Sequence, residues 1–252
     1  MARIALVTGA TGGIGEKFVE KICLLGDIDE VWAVGRNREK LDVLKNKSEK
    51  IVPVIANLSD GGTDGLKALF AEKKPEIRLL VNNAGVAYMG KFEEMSDSDL
   101  DRFCKINCTS PAVLMAASLK YMREGARILN ISSASSFQPN PYLSMYSASK
   151  AFLKNLSRAV GFELKERKIT VTCVCPYWVD TGMLPREKNG KKIKYPGMVS
   201  TEKVVSKALR DSERGKDMSV PGLFASYFRF YSKVTPTSLV MKQWAAAIKK
   251  YL

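Results

Sequence analysis

Short apolar runs alternate with segments of helical spacing along most of the chain. The first run, Arg3–Val7, leads into a helical segment at Gly15–Leu25, and the sixth run is Ile169–Cys175. Apolar runs of about five residues bounded by turn residues predict buried strands, and the segments between them predict crossover helices. The pattern predicts an α/β fold in which residues 1–252 form a single domain. We expect a doubly wound parallel sheet of about seven strands with helices on both faces.

A glycine-rich turn joins the first predicted strand to the first predicted helix. Glycines allow a tight turn and a close approach of the backbone to a ligand. The helix that follows offers free amides and the positive end of its dipole to a pyrophosphate. This placement predicts a Rossmann-type dinucleotide site in preference to a bare structural turn. The turn residues that we expect to contact the cofactor are Thr8, Gly9, Thr11, Gly13, Ile14 and Gly15.

The end of the second predicted strand indicates which dinucleotide would bind. Its sequence is Gly35-Arg36-Asn37-Arg38, at the place where an NAD site has a carboxylate for the ribose hydroxyls. Because no carboxylate stands there, Arg36 would pair with a 2′-phosphate and Arg38 would assist it. The sequence therefore favours NADP(H) over NAD(H). The alternative is that both arginines are solvated loop residues.

Composition limits the chemistry and the compartment. The chain has no histidine, which excludes histidine-based triads and leaves acid/base work to Tyr, Lys, Asp, Glu or Cys. It has five cysteines, mostly within apolar segments, which predicts reduced, packed thiols, a cytoplasmic location and no metal site. No apolar run reaches the roughly 18 residues of a membrane-spanning helix, and no signal peptide is expected.

Tyr146 and Lys150 lie one helical turn apart in the run Tyr-Ser-Ala-Ser-Lys. Lowering the pKa of a phenol from about 10 to about 7 requires about 4 kcal/mol of differential stabilisation. A unit charge at about 4 Å supplies roughly that amount at an effective dielectric of about 20. The pair is therefore a candidate acid/base, although any helix can carry a solvated Tyr and Lys at this spacing.

Polar residues also follow the fourth and fifth predicted strands. Asn82-Asn83-Ala84-Gly85 ends the fourth, and Asn130-Ile131-Ser132-Ser133 ends the fifth. A further asparagine, Asn107, lies within a long predicted helix at Asp97–Arg123, close to Pro111, whose missing amide should distort the preceding turn. The side chain of Asn107 would then hydrogen-bond to the kinked backbone. Alternatively, the distortion would free a backbone carbonyl to hold a water on a proton path from Lys150.

In order and spacing, these motifs resemble the short-chain dehydrogenase/reductase family from Arg3 to Met183. The resemblance implies that Ser133 orients the substrate oxygen and that Tyr146 transfers the proton. It also implies that Lys150 lowers the phenol pKa and binds the nicotinamide ribose, while Asn107 supports a relay water. Further cofactor contacts implied by the resemblance fall on Asn57, Leu58, Asn83, Ala84, Gly85, Pro176, Val179 and Thr181.

Two departures from the family pattern affect the predicted specificity. A basic residue that often assists NADP binding is replaced by Gly12, so the preference would rest mostly on Arg36. The glycine that usually follows the proline is Tyr177, which resembles the branch of 17β-hydroxysteroid dehydrogenases and 3-ketoacyl reductases. Residues 183–200 lie where the family places a substrate lid, with a flexible solvated loop as the alternative. The predicted pocket for a bulky, apolar ketone or alcohol consists of Phe137, Leu143, Tyr177, Trp178 and Met183.

The net charge of +14 is spread along the chain with two local concentrations. One is the lysine- and arginine-rich segment 186–194, and the other is the chain after Asp217, which contains no acid. Residues 223–252 form a basic, aromatic-rich extension that would pack on the body, cover a subunit contact or lie on an anionic membrane. The resemblance implies a homodimer or homotetramer. The rival interpretations are a non-catalytic NADP-binding regulatory or scaffold protein and a nucleic-acid binder. We expect no nucleic-acid partner, because no such motif accompanies the charge.

Overall fold

Seven parallel strands form one sheet in a computed structural model that describes residues 1–182, 184, 187–188 and 191–249. The strand order is β3-β2-β1-β4-β5-β6-β9, so the direction of winding reverses between β1 and β4. Ligands of doubly wound sheets bind at such a reversal. The strands are β1 (Arg3–Thr8), β2 (Glu30–Gly35), β3 (Ile51–Ile55), β4 (Glu76–Asn82), β5 (Arg127–Ile131), β6 (Thr170–Val174) and β9 (Met218–Ser219). A separate two-residue ladder pairs β7 (Glu187–Lys188) with β8 (Lys191–Lys192).

Helices cover both faces of the sheet, which confirms the predicted doubly wound fold. Alternate residues of a strand point to opposite faces. In β1, Ala5 and Val7 join one apolar cluster, whereas Ile4 and Leu6 join the other. The helices are α1 (Gly13–Cys23), α2 (Arg38–Lys45), α3 (Gly62–Lys73), α4 (Asp97–Cys104), α5 (Ser110–Ser118), α6 (Ser144–Glu163), α7 (Thr201–Glu213), α8 (Leu223–Val234) and α9 (Thr237–Ile248). Residues of α1, α2 and α7 line the first cluster, and residues of α3, α5 and α6 line the second.

The helix predicted at Asp97–Arg123 is broken. It consists of α4, a π-helical turn at Lys105–Thr109, α5 and a short 3₁₀ turn. Pro111 is the second residue after the π-helical turn and has no amide to donate to it. The predicted distortion ahead of this proline is therefore confirmed, and it moves Asn107 into the widened turn.

The two edge strands of the sheet are short or interrupted. At one edge, β3 pairs only with β2 and carries Pro53 opposite Ala33. At the other edge, β9 contributes two residues beside β6. The sequence analysis predicted neither this last strand, whose two residues give no periodicity, nor helix α7, which leads into it.

Beyond the sheet, the C-terminal extension forms α8 and α9. Helix α9 buries Val240, Trp244 and Ile248, whereas α8 buries only Ala225 among its residues. The two helices therefore differ in how they meet the body. No helix within the described residues is both long and apolar enough to cross a membrane.

Candidate active site

The glycine turn forms a cradle at the carboxyl end of β1. Gly9 and Gly13 adopt φ angles of +63° and +56°, in the left-handed region that favours glycine. A Cβ atom at Gly15 would lie 2.1 Å from the Gly9 carbonyl oxygen, so only glycine fits there. Helix α1 begins at Gly13 after the N-cap Gly12, and no side chain caps it. Its first amides and its dipole therefore face the cradle, which fits the pyrophosphate of a dinucleotide.

Thr8 and Asn83 hold this cradle from the neighbouring strand. The Thr8 hydroxyl accepts hydrogen bonds from the backbone amides of Asn83 and Ala84, each at 3.0 Å. The Asn83 side-chain amide donates to the carbonyl oxygens of Thr8 at 3.0 Å and Gly9 at 3.1 Å. These bonds fix the turn across the reversal between β1 and β4. Within this structure, both side chains serve the shape of the cradle.

The far end of the cleft carries the residues predicted for the adenosine. The Thr11 methyl group packs over Gly35, where an added Cβ would lie 2.9 Å from it. Arg36 and Arg38 are exposed, and within the described part of the chain neither side chain has a hydrogen-bond or ion-pair partner. Both guanidinium groups are thus available to an anion at the end of β2.

Asn57 and Leu58 lie in the turn after β3. The Asn57 side-chain oxygen accepts from the Ser59 hydroxyl at 2.8 Å and its amide at 3.3 Å. The Leu58 carbonyl accepts from the Ser110 hydroxyl at 2.8 Å. The turn is therefore tied to α5, close to the π-helical turn. Contact of either residue with an adenine stays a prediction.

Lys150 is a buried ammonium beside Tyr146. It is 4% exposed, and its Nζ donates to the Ile131 carbonyl at 2.8 Å. The Nζ lies 5.5 Å from the centroid of the Tyr146 ring. Burial lowers the pKa of Lys150 to about 8, because desolvation disfavours the charged form. A Cβ at Gly85 would lie 3.3 Å from this Nζ, so the backbone after β4 closes over it.

The pKa of Tyr146 is raised, opposite to the direction that its spacing from Lys150 predicts. Burial is the main cause, and a hydrogen bond with the Ser133 hydroxyl partly offsets it. Ser133 lies at the N-cap of a short 3₁₀ turn, where its oxygen accepts from the Ser135 amide at 3.1 Å. The Lys150 ammonium is directed to a backbone carbonyl, so the charge does not act on the phenol as strongly as the spacing alone suggested.

Asn107 connects three segments around Lys150. Its Oδ1 accepts from the Val86 amide at 2.9 Å, and its Nδ2 donates to the Val86 carbonyl at 2.8 Å. The same Nδ2 donates to the Ser149 hydroxyl at 3.2 Å. Both amide hydrogens are thus used by protein atoms, and the side chain ties the π-helical turn to α6. The relay water stays a prediction.

Sequence reasoning missed two side chains that position this site. Ser149 is the partner of Asn107, and the Ser132 hydroxyl donates to the Lys150 carbonyl at 2.7 Å. Both serines belong to motifs that were noted for other residues. Their positions next to Ser133 and Lys150 were the only available signal.

A separate apolar cluster lies on the substrate side of Tyr146. Leu143 and Trp244 are buried in it, and Tyr146 and Trp178 pack against them. The Trp244 indole donates to the Pro141 carbonyl at 3.0 Å, across 103 positions of sequence. Trp244 was not among the predicted pocket residues. The extension therefore supplies a wall of this cleft, and packing of α9 on the body is one of the outcomes predicted for it.

The other predicted pocket residues divide between two places. Tyr177 faces α8, with ring centroids 4.8 Å from Phe224 and 5.5 Å from Phe228. Phe137 packs instead against Cys173, Cys175 and Met218, away from the Tyr146 cluster. Met183 lies outside the described residues.

The predicted lid is described only in part. Its Tyr195 ring packs 5.0 Å from Trp178, and its Val199 pairs with Val179 in an isolated bridge. Val179 is buried in the first core cluster, while a Cβ at Gly13 would lie 3.0 Å from the Thr181 methyl group. The Pro176 carbonyl accepts from the Ala134 amide at 2.7 Å. These contacts place Thr181, which precedes the predicted lid, beside the glycine cradle, and the last part of the lid beside Trp178 and Val179.

The sheet reversal, the glycine cradle and the Tyr146–Lys150 helix together define a Rossmann-type fold with a dinucleotide cleft. The chain belongs to the short-chain dehydrogenase family, because the family model described as short chain dehydrogenase matches residues 3–192. The predicted family is therefore confirmed, and the protein is a member of an oxidoreductase family.

Individual relatives agree with this assignment. The very-long-chain 3-oxoacyl-CoA reductase of Anas platyrhynchos is 34% identical over 199 residues, which cover 71% of this chain and 60% of that protein. The inactive hydroxysteroid dehydrogenase-like protein 1 of Homo sapiens is 33% identical over 191 residues, covering 72% and 57%. The chain thus spans less than two thirds of each. A short-chain dehydrogenase from Sphingobium yanoikuyae, solved with NADPH, superposes with a TM-score of 0.78 at 26% identity, covering 92% of this chain and 93% of that one.

Proposed function

We propose that this protein is an NADP(H)-dependent oxidoreductase that interconverts a ketone and a secondary alcohol by hydride transfer. The observation that carries the proposal is the meeting of Ser133, Tyr146 and buried Lys150 beside a glycine cradle that accepts no side chain at Gly15. The cofactor would supply or accept the hydride. The chain would hold it at the cradle, at Arg36 and at Lys150.

The acid/base roles follow from the geometry and the charges. A raised pKa keeps the Tyr146 phenol protonated at neutral pH, so in the reductive direction it is ready to donate to a developing alkoxide. The Ser133 hydroxyl, which lies close enough to the phenol to lower its pKa, would orient the carbonyl oxygen. Lys150 remains largely protonated at pH 7 because its pKa is about 8. Its charge would stabilise negative charge that develops on the oxygen and on the phenol.

The preference for NADP(H) rests on the end of β2. Arg36 and Arg38 are exposed, have no partner within the described residues and face no carboxylate at Gly35. A guanidinium is well matched to a phosphate, since it can donate two parallel hydrogen bonds. The NADPH complex of the Sphingobium yanoikuyae relative supports the same choice.

The proposed substrate is a bulky, apolar ketone or alcohol of hydroxysteroid, bile-acid or 3-oxoacyl type. Leu143, Trp178 and Trp244 give the cleft beside Tyr146 an apolar wall. The name of the Anas platyrhynchos relative also supports an acyl substrate. Assembly as a homodimer or homotetramer and a cytoplasmic location belong to the proposal as well, and the free thiols of all five cysteines suit a reducing compartment.

Replacing Tyr146 with Phe tests the proposed reaction. The variant should lose at least about a thousandfold in turnover across a panel of steroid, bile-acid and acyl ketones, because it has no proton to transfer. NADPH binding, followed by fluorescence titration, should be retained. Tyr121→Phe is the matched control. Tyr121 packs against the core cluster on the face of the sheet that α5 covers, away from the cleft. Retained turnover in Tyr146→Phe would contradict the assignment.

A non-catalytic NADP-binding protein is the second candidate, because the Homo sapiens relative is named inactive. The complete set of Asn107, Ser133, Tyr146 and Lys150 supports catalysis. Binding of NADPH without oxidation by any ketone of the panel would favour the second candidate.

A further inference from the structure

Helix α8 presents an apolar face to solvent. Its four residues, Leu223, Tyr227, Phe230 and Val234, form what we call the α8 stripe and are 89%, 60%, 64% and 62% exposed. Their spacing of i, i+4, i+7 and i+11 places them in one narrow sector of the helix. The opposite side meets the body through Ala225. Contiguous exposed apolar surface of this kind marks an interaction site more often than isolated exposed residues do.

Basic residues flank the α8 stripe without any acid. Lys233 is exposed at one edge of it and forms no ion pair with any part of the chain that the structure describes, whereas half-buried Arg229 lies on the side of the helix near Ala225. Exposed Lys242 follows in α9. No Asp or Glu occurs after Asp217, so the whole extension is cationic. We propose that the α8 stripe docks this protein on an anionic lipid surface.

The charge decides between a bilayer and a second copy of the chain. In a two-fold contact through α8, the cations of each copy would meet those of the other, and the extension offers no acid to compensate them. An anionic bilayer supplies an apolar layer for the stripe and negative headgroups for exposed Lys233 and Lys242. A short amphipathic helix with a basic flank is suited to lie in that interface.

A row of aromatic rings connects α8 with the cleft. Ring centroids are 6.5 Å apart for Tyr227 and Phe224, 4.8 Å for Phe224 and Tyr177, and 5.4 Å for Tyr177 and Trp178. Trp178 in turn stacks with Trp244 in the cluster that includes Tyr146. Docking would therefore place the entrance of an apolar cleft next to lipid. Only this consequence for substrate entry rests on the proposed function.

Vesicle flotation tests the docking without requiring turnover. The unmodified protein should bind vesicles of phosphatidylcholine and phosphatidylglycerol in equal parts at least about tenfold better than vesicles of phosphatidylcholine alone. Phe230→Ser with Val234→Ser should weaken binding to the mixed vesicles at least about tenfold. Lys233→Gln with Lys242→Gln should weaken it by about tenfold or more. Phe162→Ser, on α6, is the matched control because Phe162 is 70% exposed on another helix.

The possible outcomes distinguish an anionic lipid surface from a second copy of the chain as the partner of the α8 stripe. An unchanged thermal unfolding midpoint in each variant would show that the fold is intact, and unchanged flotation of Phe162→Ser would support a specific role for α8. Absence of flotation with the mixed vesicles overturns the proposal, as does an equal loss in the Phe162 variant. A dimer in analytical ultracentrifugation that the α8 substitutions dissociate, with no vesicle binding, would assign the stripe to a second copy instead.

Discussion

The cofactor end and the substrate end of the cleft are built in different ways. At the cofactor end, backbone atoms of Gly9, Gly13 and Gly15 define the shape, and Thr8 and Asn83 lock it. At the substrate end, large side chains define the shape. One of them, Trp244 of α9, donates a hydrogen bond to the Pro141 carbonyl. The backbone cradle has no room for an added methyl group at Gly15. A wall of aromatic rings, in contrast, can accept a smaller side chain. Substitutions at the cofactor end should therefore reduce NADPH affinity, and substitutions at the substrate end should raise the KM for the ketone.

Among the substitutions that compare the two ends, Gly15→Ala should have the largest effect. The new methyl group would lie 2.1 Å from the Gly9 carbonyl oxygen, so the turn must move. We expect NADPH affinity to fall about a hundredfold or more, or the free energy of unfolding to fall by about 3 kcal/mol. Gly12→Ala is the control, because nothing lies within 4 Å of its added Cβ and its φ of −179° suits any residue. Titration with NADPH and thermal unfolding would check both, and equal behaviour would contradict the rigid cradle.

Trp244→Ala tests the substrate end. Loss of this buried ring and its bond to Pro141 should lower the free energy of unfolding by about 3 kcal/mol. The KM for apolar ketones should rise while the Kd for NADPH stays the same, since the cradle is not touched. Trp244→Phe should recover most of the stability but not the hydrogen bond. A change in NADPH affinity as large as the change in KM would show that the two ends are coupled.

Lys150 lies between the two ends, and its titration makes the free energy of unfolding depend on pH. Its pKa is about 8 in the folded protein and near the ordinary 10.5 when unfolded. Between these values the unfolded chain holds a proton that the folded chain has released, so stability rises with pH. Relative to Lys150→Met, the unmodified protein should gain about 2 kcal/mol between about pH 8 and 9.5. Urea unfolding of both proteins checks this, and parallel pH curves would refute it.

The smallest effect is expected at the exposed rim of the cofactor end. Arg36→Ala should weaken NADPH binding by about tenfold and leave NADH binding unchanged, because only NADPH carries the 2′-phosphate. Lys40→Ala is the control, as it removes a neighbouring exposed cation from α2. If both substitutions had the same effect, general charge attraction rather than a specific pairing would be at work.

The sequence predicted the cofactor end better than the substrate end for a physical reason. A glycine turn and a Tyr-to-Lys helical spacing depend on residues a few positions apart. The distortion at Asn107 was likewise predicted from a nearby residue, Pro111. The role of Trp244 depends on a contact across 103 positions. The raised pKa of Tyr146 depends on burial and on where Lys150 donates its hydrogen bond, and neither is encoded by spacing. The two-residue β9 was too short for any pattern.

The edges of the sheet have a consequence for self-association. Lys50 and Ala56 bond to β2, so the two-residue period turns Pro53 toward the open side of β3, where it offers no amide. The opposite edge, β9, offers only two residues. An incoming strand from another molecule would find no continuous row of donors and acceptors at either edge. The fold thereby resists amyloid-like extension of its sheet, and concentrated solutions of the native protein should not seed fibres by this route.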